Sequence, residues 1–579
     1  MRVNKFIIFV LVTLVALLSA CRGATPPKSN VSSNTNVQTS GSKQLNLFVG
    51  SEQEDTMKLI VQPWCQTQGW DCQYRKKGSV DQKTILQSGT YADSDGWQAD
   101  GFWFASSVWP TIGDLKGVLR DKQSMYVSPT VFATWKHIAD ANGWTGKQSV
   151  PILDIFNAAK NNGLKMWWSN PSQSNSGATG YLSLLTALAG NAEGVPLTLD
   201  QINNSKLQAQ AQEYVRLIEH SSPSTKDVTD ACIANKNNCD GVFTYESLVI
   251  QDDQTLVANR AEPLVVVYPK EIALNDSYLT FVPNGSLTDA TIQAKEKFFL
   301  SLEQYLQTPE AITKILGIGW RAGSSPLDLK NADASRFNPA WGIQTAIRST
   351  PIAYPAADTI NQALDLYQTS FRRPVDAVYC LDTSGSMGAG TKDSRWAQVS
   401  AAAQDVFVKS EAERYQLLTH PQDLTQVLFF SDKVVYESPL VTGDDYTALG
   451  KIYNDIVTNN RAGQTDIYGC AERALSLLKS HPSLAERRPI IFLMTDGQSN
   501  VGTSPDQFLA QRRSALPGVT VIAIGFSNEA DGNQLHALAD PTEGTVIYTD
   551  STAFGRDSRP NKILATDFAE AMKYALGYK

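Results

Sequence analysis

Apolar residues recur along this chain in runs of strand length separated by stretches with helical spacing, and the two alternate twice. Residues 45–49, 163–168 and 264–268 are short apolar runs, and residues 178–189 between them have helical character. Strand and helix in repeated alternation predict an α/β arrangement with a mostly parallel sheet. The alternation resumes after residue 371. Residues 375–381, 489–495 and 519–525 are almost wholly apolar, as strands covered on both faces are. Residues 427–430 and 434–436 read as a hairpin pair and 545–548 as a last strand. Residues 467–478 place Ala471, Ala474, Leu475 and Leu478 on one helical face, and 535–539 and 566–576 are also helical. This second half predicts a doubly wound sheet, in which ligands sit beyond the carboxyl ends of the strands.

Residues 323–358 are dense in Gly, Ser, Pro and Asn, yet Trp341, Ile343, Ile347 and Ile352 need cover, which predicts an ordered connection. Residues 357–371 then read as a helix with Ile360, Leu364, Tyr367 and Phe371 on one face, ended by Pro374. The expected organisation is 1–20 signal segment, 21–44 anchor and linker, 45–330 first folded domain, 331–371 connector and 372–579 second folded domain.

A chain of 579 residues is too long for one core, which agrees with that division. A formal net charge of -8 gives no general attraction for nucleic acid or an anionic membrane. Arg2 and Lys5 precede an apolar run over 6–18 that is too short to span a bilayer and reads as a signal segment. Leu18-Ser19-Ala20-Cys21 resembles the lipobox of bacterial lipoproteins. The resemblance implies cleavage before Cys21, its lipidation, and a protein anchored in the bacterial cell envelope on the extracytoplasmic side. The alternative is a plain secretory signal that happens to precede a cysteine. Residues 22–44, polar and rich in Ser, Thr and Asn, read as a flexible tether. Of the seven cysteines, Cys65 with Cys72 and Cys232 with Cys239 are expected to form local disulfides in an oxidising compartment. Cys380 and Cys470 lie in apolar contexts and read as buried small hydrophobes, with a bridge between them left open.

Three segments far apart in sequence carry short oxygen side chains: Asp382-Thr383-Ser384-Gly385-Ser386, Gly463-Gln464-Thr465-Asp466 and Thr495-Asp496-Gly497. Such a set suits a hard divalent cation, Mg²⁺ or else Mn²⁺ or Ca²⁺. The residues also resemble the metal-ion-dependent adhesion site of the von Willebrand factor A family across nearly all of 375–579. That resemblance implies a Rossmann-like domain in which Asp382, Ser384, Ser386, Thr465 and Asp496 hold the ion. Ser384 and Ser386 would bind directly, Thr465 directly or through water, and the two Asp residues partly through water. An ion with few direct carboxylates accepts an acidic group from a protein partner. Each fragment alone is an ordinary turn sequence; the three together carry the reading.

In the first half, Ser176 reads as the N-cap of a helix whose free amides would suit an anionic or polar ligand group, although a capped helix start needs no ligand. The order of Gly50-Ser51-Glu52, Ala105-Ser106-Ser107, Asn170 to Gly177, Thr244-Tyr245-Glu246-Ser247 and the strand at 264–268 resembles bacterial extracellular solute-binding proteins of the type II periplasmic class. The resemblance implies two α/β lobes closing on a ligand, with Ser51, Ser106, Ser107, Ser174, Ser176 and Tyr245 facing the cleft. The solute would be an oxyanion or another small molecule. Trp64, Trp97, Trp103, Trp109, Trp167 and Trp168 read as core in preference to a sugar-binding wall.

An enzyme is not expected. The five histidines make no zinc-type pair with Glu, no Gly-x-Ser-x-Gly elbow is present, and the phosphate-loop-like residues 143–148 have the wrong spacing. Two functions compete: a tethered binding or adhesion lipoprotein acting through its metal, and a solute receptor for a transporter or sensor acting through its first half.

Overall fold

The computed structural model describes residues 43–93, 96–330, 332–388, 395–459, 462–482, 486–516, 518–559, 561–565 and 568–577. The signal segment and Cys21 lie outside the described residues. No helix among the described residues is long and apolar enough to cross a membrane.

Two sheets build the first half. One contains β1 (Gln44–Val49), β2 (Asp71–Lys76), β3 (Gly101–Phe104) and β4 (Arg120–Ser124). The other contains β5 (Ser128–Trp135), β6 (Met166–Ser169), β7 (Ile218–Ser222), β8 (Gly241–Tyr245), β9 (Leu264–Val267) and β10 (Leu274–Asn275). The chain then returns to the first sheet through β11 (Tyr278–Phe281), giving the orders β2-β1-β3-β11-β4 and β10-β5-β8-β6-β7, with β9 beside β5. It therefore passes between the two sheets at 124–128 and again at 275–278. Trp103, Trp109 and Trp168 are fully buried, Trp64 stacks on Phe298 and Tyr305, and Trp97 packs on Phe48, as core aromatics do. Cys65–Cys72 and Cys232–Cys239 are disulfides.

The connector is ordered. Trp341, Ile343 and Ile347 pack against the second lobe with Leu264 and Val266. The helix Ala357–Leu366 lays Ile360, Ala363 and Leu364 into the core that also holds Tyr181 and Trp168.

One buried carboxylate of this half makes a measurable prediction. Asp253 accepts a hydrogen bond from the Leu264 amide (2.7 Å), while its other oxygen has no partner. Burial pushes its carboxyl up to about 8. Above its ordinary range the unfolded chain has released this proton and the folded chain has not, so stability falls as pH rises from about 4 to about 8. Asp253→Asn removes the charge that must be buried. It is expected to gain about 3–4 kcal/mol more at pH 8 than at pH 5, read by denaturant unfolding at the two pH values.

The second half is a single eight-stranded sheet. Its strands are β12 (Val375–Asp382), β13 (Leu424–Phe430), β14 (Val434–Glu437), β15 (Val441–Thr442), β16 (Arg488–Thr495), β17 (Thr520–Gly525), β18 (Thr545–Tyr548) and β19 (Lys562–Leu564). The order is β14-β13-β12-β16-β17-β18-β19, with β15 beside β13; β14 and β15 are antiparallel and the rest parallel. The two faces of β12 explain its apolar sequence. Val375, Ala377, Tyr379 and Leu381 enter one core and Val378 and Cys380 the other. Both faces carry helices, so neither parity of residue meets water. The expected helix over 566–576 is observed as Phe568–Leu576.

Cys380 and Cys470, both buried as expected, are bonded to each other, which closes the option left open by sequence. The bridge joins the middle of β12 to the first turns of the helix Ile467–Ser480. The two elements that carry Asp382 and Thr465 are thereby covalently tied.

Candidate metal centre

The centre lies where the strand order reverses. β12 is the first strand of its sheet; the chain adds β13 on one side of it and β16, β17 and β18 on the other. The carboxyl ends of β12 and β16 diverge there, and both end in an aspartate-bearing turn.

Asp382, fully buried, accepts hydrogen bonds from the Ser384 amide (2.8 Å) and the Thr495 hydroxyl (2.6 Å). The first bond folds the loop after β12 back, so that the hydroxyls of Ser384 and Ser386 stand 3.1 Å apart. Ser386 in turn donates to Asp496 (2.8 Å), also fully buried. Thr465 comes from the third segment, brought in by backbone bonds. The Gly463 carbonyl accepts from the Gly385 amide (3.2 Å), and the Ala462 amide donates to the Thr383 carbonyl (2.9 Å). Gly463 has φ +97°, and a Cβ there would come 2.9 Å from the Ser431 hydroxyl, so the turn needs glycine. Ser386, Thr465 and Gly497 share the lining of one open groove of about 920 Å³.

The donor set fits a hard divalent cation. It offers hydroxyl and carboxylate oxygens only, and among the described residues no group of three or more His, Cys, Asp or Glu is placed to hold a metal ion. Asp382 has no cationic side chain paired with it among the described residues, and burial pushes its carboxyl up to about 6. A carboxylate so placed lacks the countercharge that a cation supplies.

Two groups that sequence reasoning missed complete the site. Asn500 holds Thr465 from both sides: its side chain accepts from the Thr465 amide (3.2 Å), and its amide donates to the Thr465 carbonyl (3.0 Å). Its place four residues after Asp496 was the available signal. Arg395, at the start of the helix Arg395–Phe407, forms an ion pair with Asp496 and lies 3.8 Å from Glu529. Its guanidinium competes with a cation for the same carboxylate. Arg395→Ala is expected to tighten Mg²⁺ binding about three- to tenfold, measured by titration calorimetry; weaker binding would mean that Arg395 assists the site.

The expected solute cleft is assembled only in part. Ser51 and Ser174 line a cavity of about 30 Å³ together with Glu52, Asn175 and Thr225. Tyr245 lies one contact behind it, receiving a hydrogen bond from Asn175 (2.8 Å). Ser106 and Ser107 are not part of that lining; the Ser107 amide donates to Asp276 (2.7 Å). Ser176 is not the N-cap. The helix begins two residues earlier, as Asn175–Ala189 with Ser174 at its N-cap position, and the Ser176 hydroxyl lies 2.8 Å from those of Ser169 and Thr225. The small hydroxyl of Ser176 is recruited between strand and helix ends, which frees it from capping.

Comparison with known proteins assigns both halves. Residues 45–321 match the family described as bacterial extracellular solute-binding protein, and residues 377–498 match the von Willebrand factor type A domain. The chain thus carries a solute-binding domain followed by a von Willebrand factor A domain, two binding modules, and the first implies an extracytoplasmic location. Similar solved structures include a von Willebrand factor type A protein from Catenulispora acidiphila (22% identity, 31% of this chain and 39% of that one, TM-score 0.25). Another is proximal thread matrix protein 1 from the mussel byssus with zinc in its MIDAS motif (21%, 31% and 44%, TM-score 0.25). A third is the periplasmic molybdate-binding protein of Azotobacter vinelandii (14%, 48% and 100%, TM-score 0.32). The chain spans less than half the length of the first two. No curated protein matches it.

Proposed function

We propose that this chain is a membrane-anchored extracytoplasmic binding lipoprotein, and not an enzyme, whose second half captures an acidic group of a protein partner through a divalent cation. Asp382, Ser384, Ser386, Thr465 and Asp496 would hold the ion, Mg²⁺ in the first instance. The observation that carries this reading is the convergence of two buried carboxylates and the Ser384 and Ser386 hydroxyls, with Ser386 and Thr465 lining an open groove. The bound ion would supply a Lewis-acidic centre for a carboxylate. The chain's own residues orient it. The Ser384 amide and Thr495 hydroxyl fix Asp382, Ser386 fixes Asp496, and Asn500 fixes Thr465. Lipidation at Cys21 would keep the groove at the envelope surface.

The test is affinity capture from the native envelope with the full chain, with Mg²⁺ or with chelator, and with Asp382→Ala. Partner recovery is expected with Mg²⁺ alone. Equal recovery in all three samples would reject the reading. The competing receptor reading would place a small solute between the lobes, where the space is about 30 Å³, far below the roughly 300–1,000 Å³ of ordinary ligand sites.

A further inference from the structure

The helix Phe568–Leu576 has two working faces. Phe568, Ala571, Met572, Ala575 and Leu576 enter the core of the second half. Glu570 and Gly577 lie on the side turned to the first half, and Lys573 and Tyr574 stand at the boundary, the Lys573 ammonium over the Tyr415 ring of the second half (4.1 Å) and the Tyr574 ring against the second-half core. There the helix meets both lobes. On the first lobe, Lys77, just after β2, forms an ion pair with Glu570 (2.6 Å), each side chain 7% exposed. The Tyr574 hydroxyl donates to the same carboxylate (3.2 Å). On the second lobe, the Gly577 carbonyl accepts from Asn170 (3.2 Å) and Ser221 (2.9 Å), and the Lys573 carbonyl accepts from Gln173 (2.8 Å).

Two of these lobe residues, Lys77 and Gln173, line the space between the lobes. Asn170 and Gln173 belong to the loop between β6 and the helix Asn175–Ala189, the segment whose helix start suits an anionic ligand group. The last carbonyls of a helix carry the negative end of its dipole. The end of Phe568–Leu576 therefore presents to that loop the chemistry expected of a ligand. Ser174 caps none of the neighbouring amides with its hydroxyl, and Lys573 and Tyr574 complete the wall of the enclosed 30 Å³. The lobes are also closed on each other, since a Cβ on Gly78 of the first lobe would overlap the Gln173 carbonyl of the second. Ligand sites in proteins ordinarily enclose about 300–1,000 Å³, so this closed state leaves no room for a solute of ordinary ligand size.

We infer that the solute-binding half holds the helix Phe568–Leu576 as a tethered ligand, and that this helix clamps the two lobes shut, so that a free solute and the docked helix exclude one another. The inference does not depend on the metal centre.

The full chain tests it. Spin labels on cysteines replacing the exposed Leu115 and Val195, one on each lobe, report the distance between lobes. Amide exchange of residues 573–577 reports docking. In N170A/Q173A/S221A, exchange there is expected to rise at least about tenfold, for three lost side-chain bonds, and a second, longer interlobe distance to appear. Exchange in β12, β16 and β17 should stay unchanged, showing that the second half remains folded. K77M/E570L removes both members of the buried pair without stranding a charge and is expected to act in the same direction. Faster helix exchange with an unaltered interlobe distance would overturn the clamp. Unaltered exchange in both variants would overturn the docking contacts themselves.

Discussion

Asp382→Asn is expected to weaken Mg²⁺ and Mn²⁺ binding at least a hundredfold while leaving the fold in place. The physical argument separates the two effects. The carboxylate is fully buried, with one oxygen taken by the Ser384 amide and the other by the Thr495 hydroxyl. An amide of the same shape keeps both contacts, its oxygen accepting from Ser384 and its NH₂ donating to Thr495. What vanishes is one of two negative charges facing the ion, the other being Asp496. A charge lost at coordination distance in a buried site outweighs a lost neutral hydrogen bond. Removing the buried charge also relieves its desolvation, so thermal stability without metal should hold or rise. Titration calorimetry with each cation, beside a melting curve with chelator present, checks both statements. Undiminished binding in D382N would detach the ion from this cluster.

The second large effect concerns stability. Arg321 and Glu246 form a bidentate pair (2.7 and 2.9 Å) in which both side chains are fully buried. Arg321 also donates to the carbonyls of Gln344, Thr345 and Pro326, and its backbone pairs with Val127 at the lobe crossing. One residue thus joins the second lobe, the crossing at 124–128 and the connector. Arg321→Ala leaves the Glu246 carboxylate buried without its partner and frees several connector carbonyls. The expected loss is about 3–5 kcal/mol of unfolding free energy, read from denaturant curves. R321M/E246L, which replaces the pair by apolar side chains, is expected to recover part of that loss. A loss below about 1 kcal/mol in R321A would show that water replaces the guanidinium, as at an exposed pair.

Much of this architecture was legible beforehand for identifiable reasons. A strand covered on both faces must be apolar at every position, and residues 375–381 and 489–495 are. Metal donors of the hydroxyl-and-carboxylate type must sit in turns at strand ends, and Asp382 and Asp496 follow those strands directly. The local disulfides at a separation of seven residues were legible because a short loop leaves few alternative partners. The N-cap at Ser176 misread a competition between hydroxyls: Ser169, Ser176 and Thr225 satisfy one another, and only the packed lobe brings Thr225 there.

By itself the chain's pattern of side chains determined two α/β halves, an ordered connection and a set of oxygen donors, because each follows from local periodicity or from residue type. Tertiary structure alone decided that Arg395 reaches Asp496, that Cys380 finds Cys470, and that the closing helix enters the cleft of the other half. The last of these rests on the carbonyls of Lys573 and Gly577, groups every residue possesses, and a backbone oxygen acquires a meaning only when folding aims it at a donor.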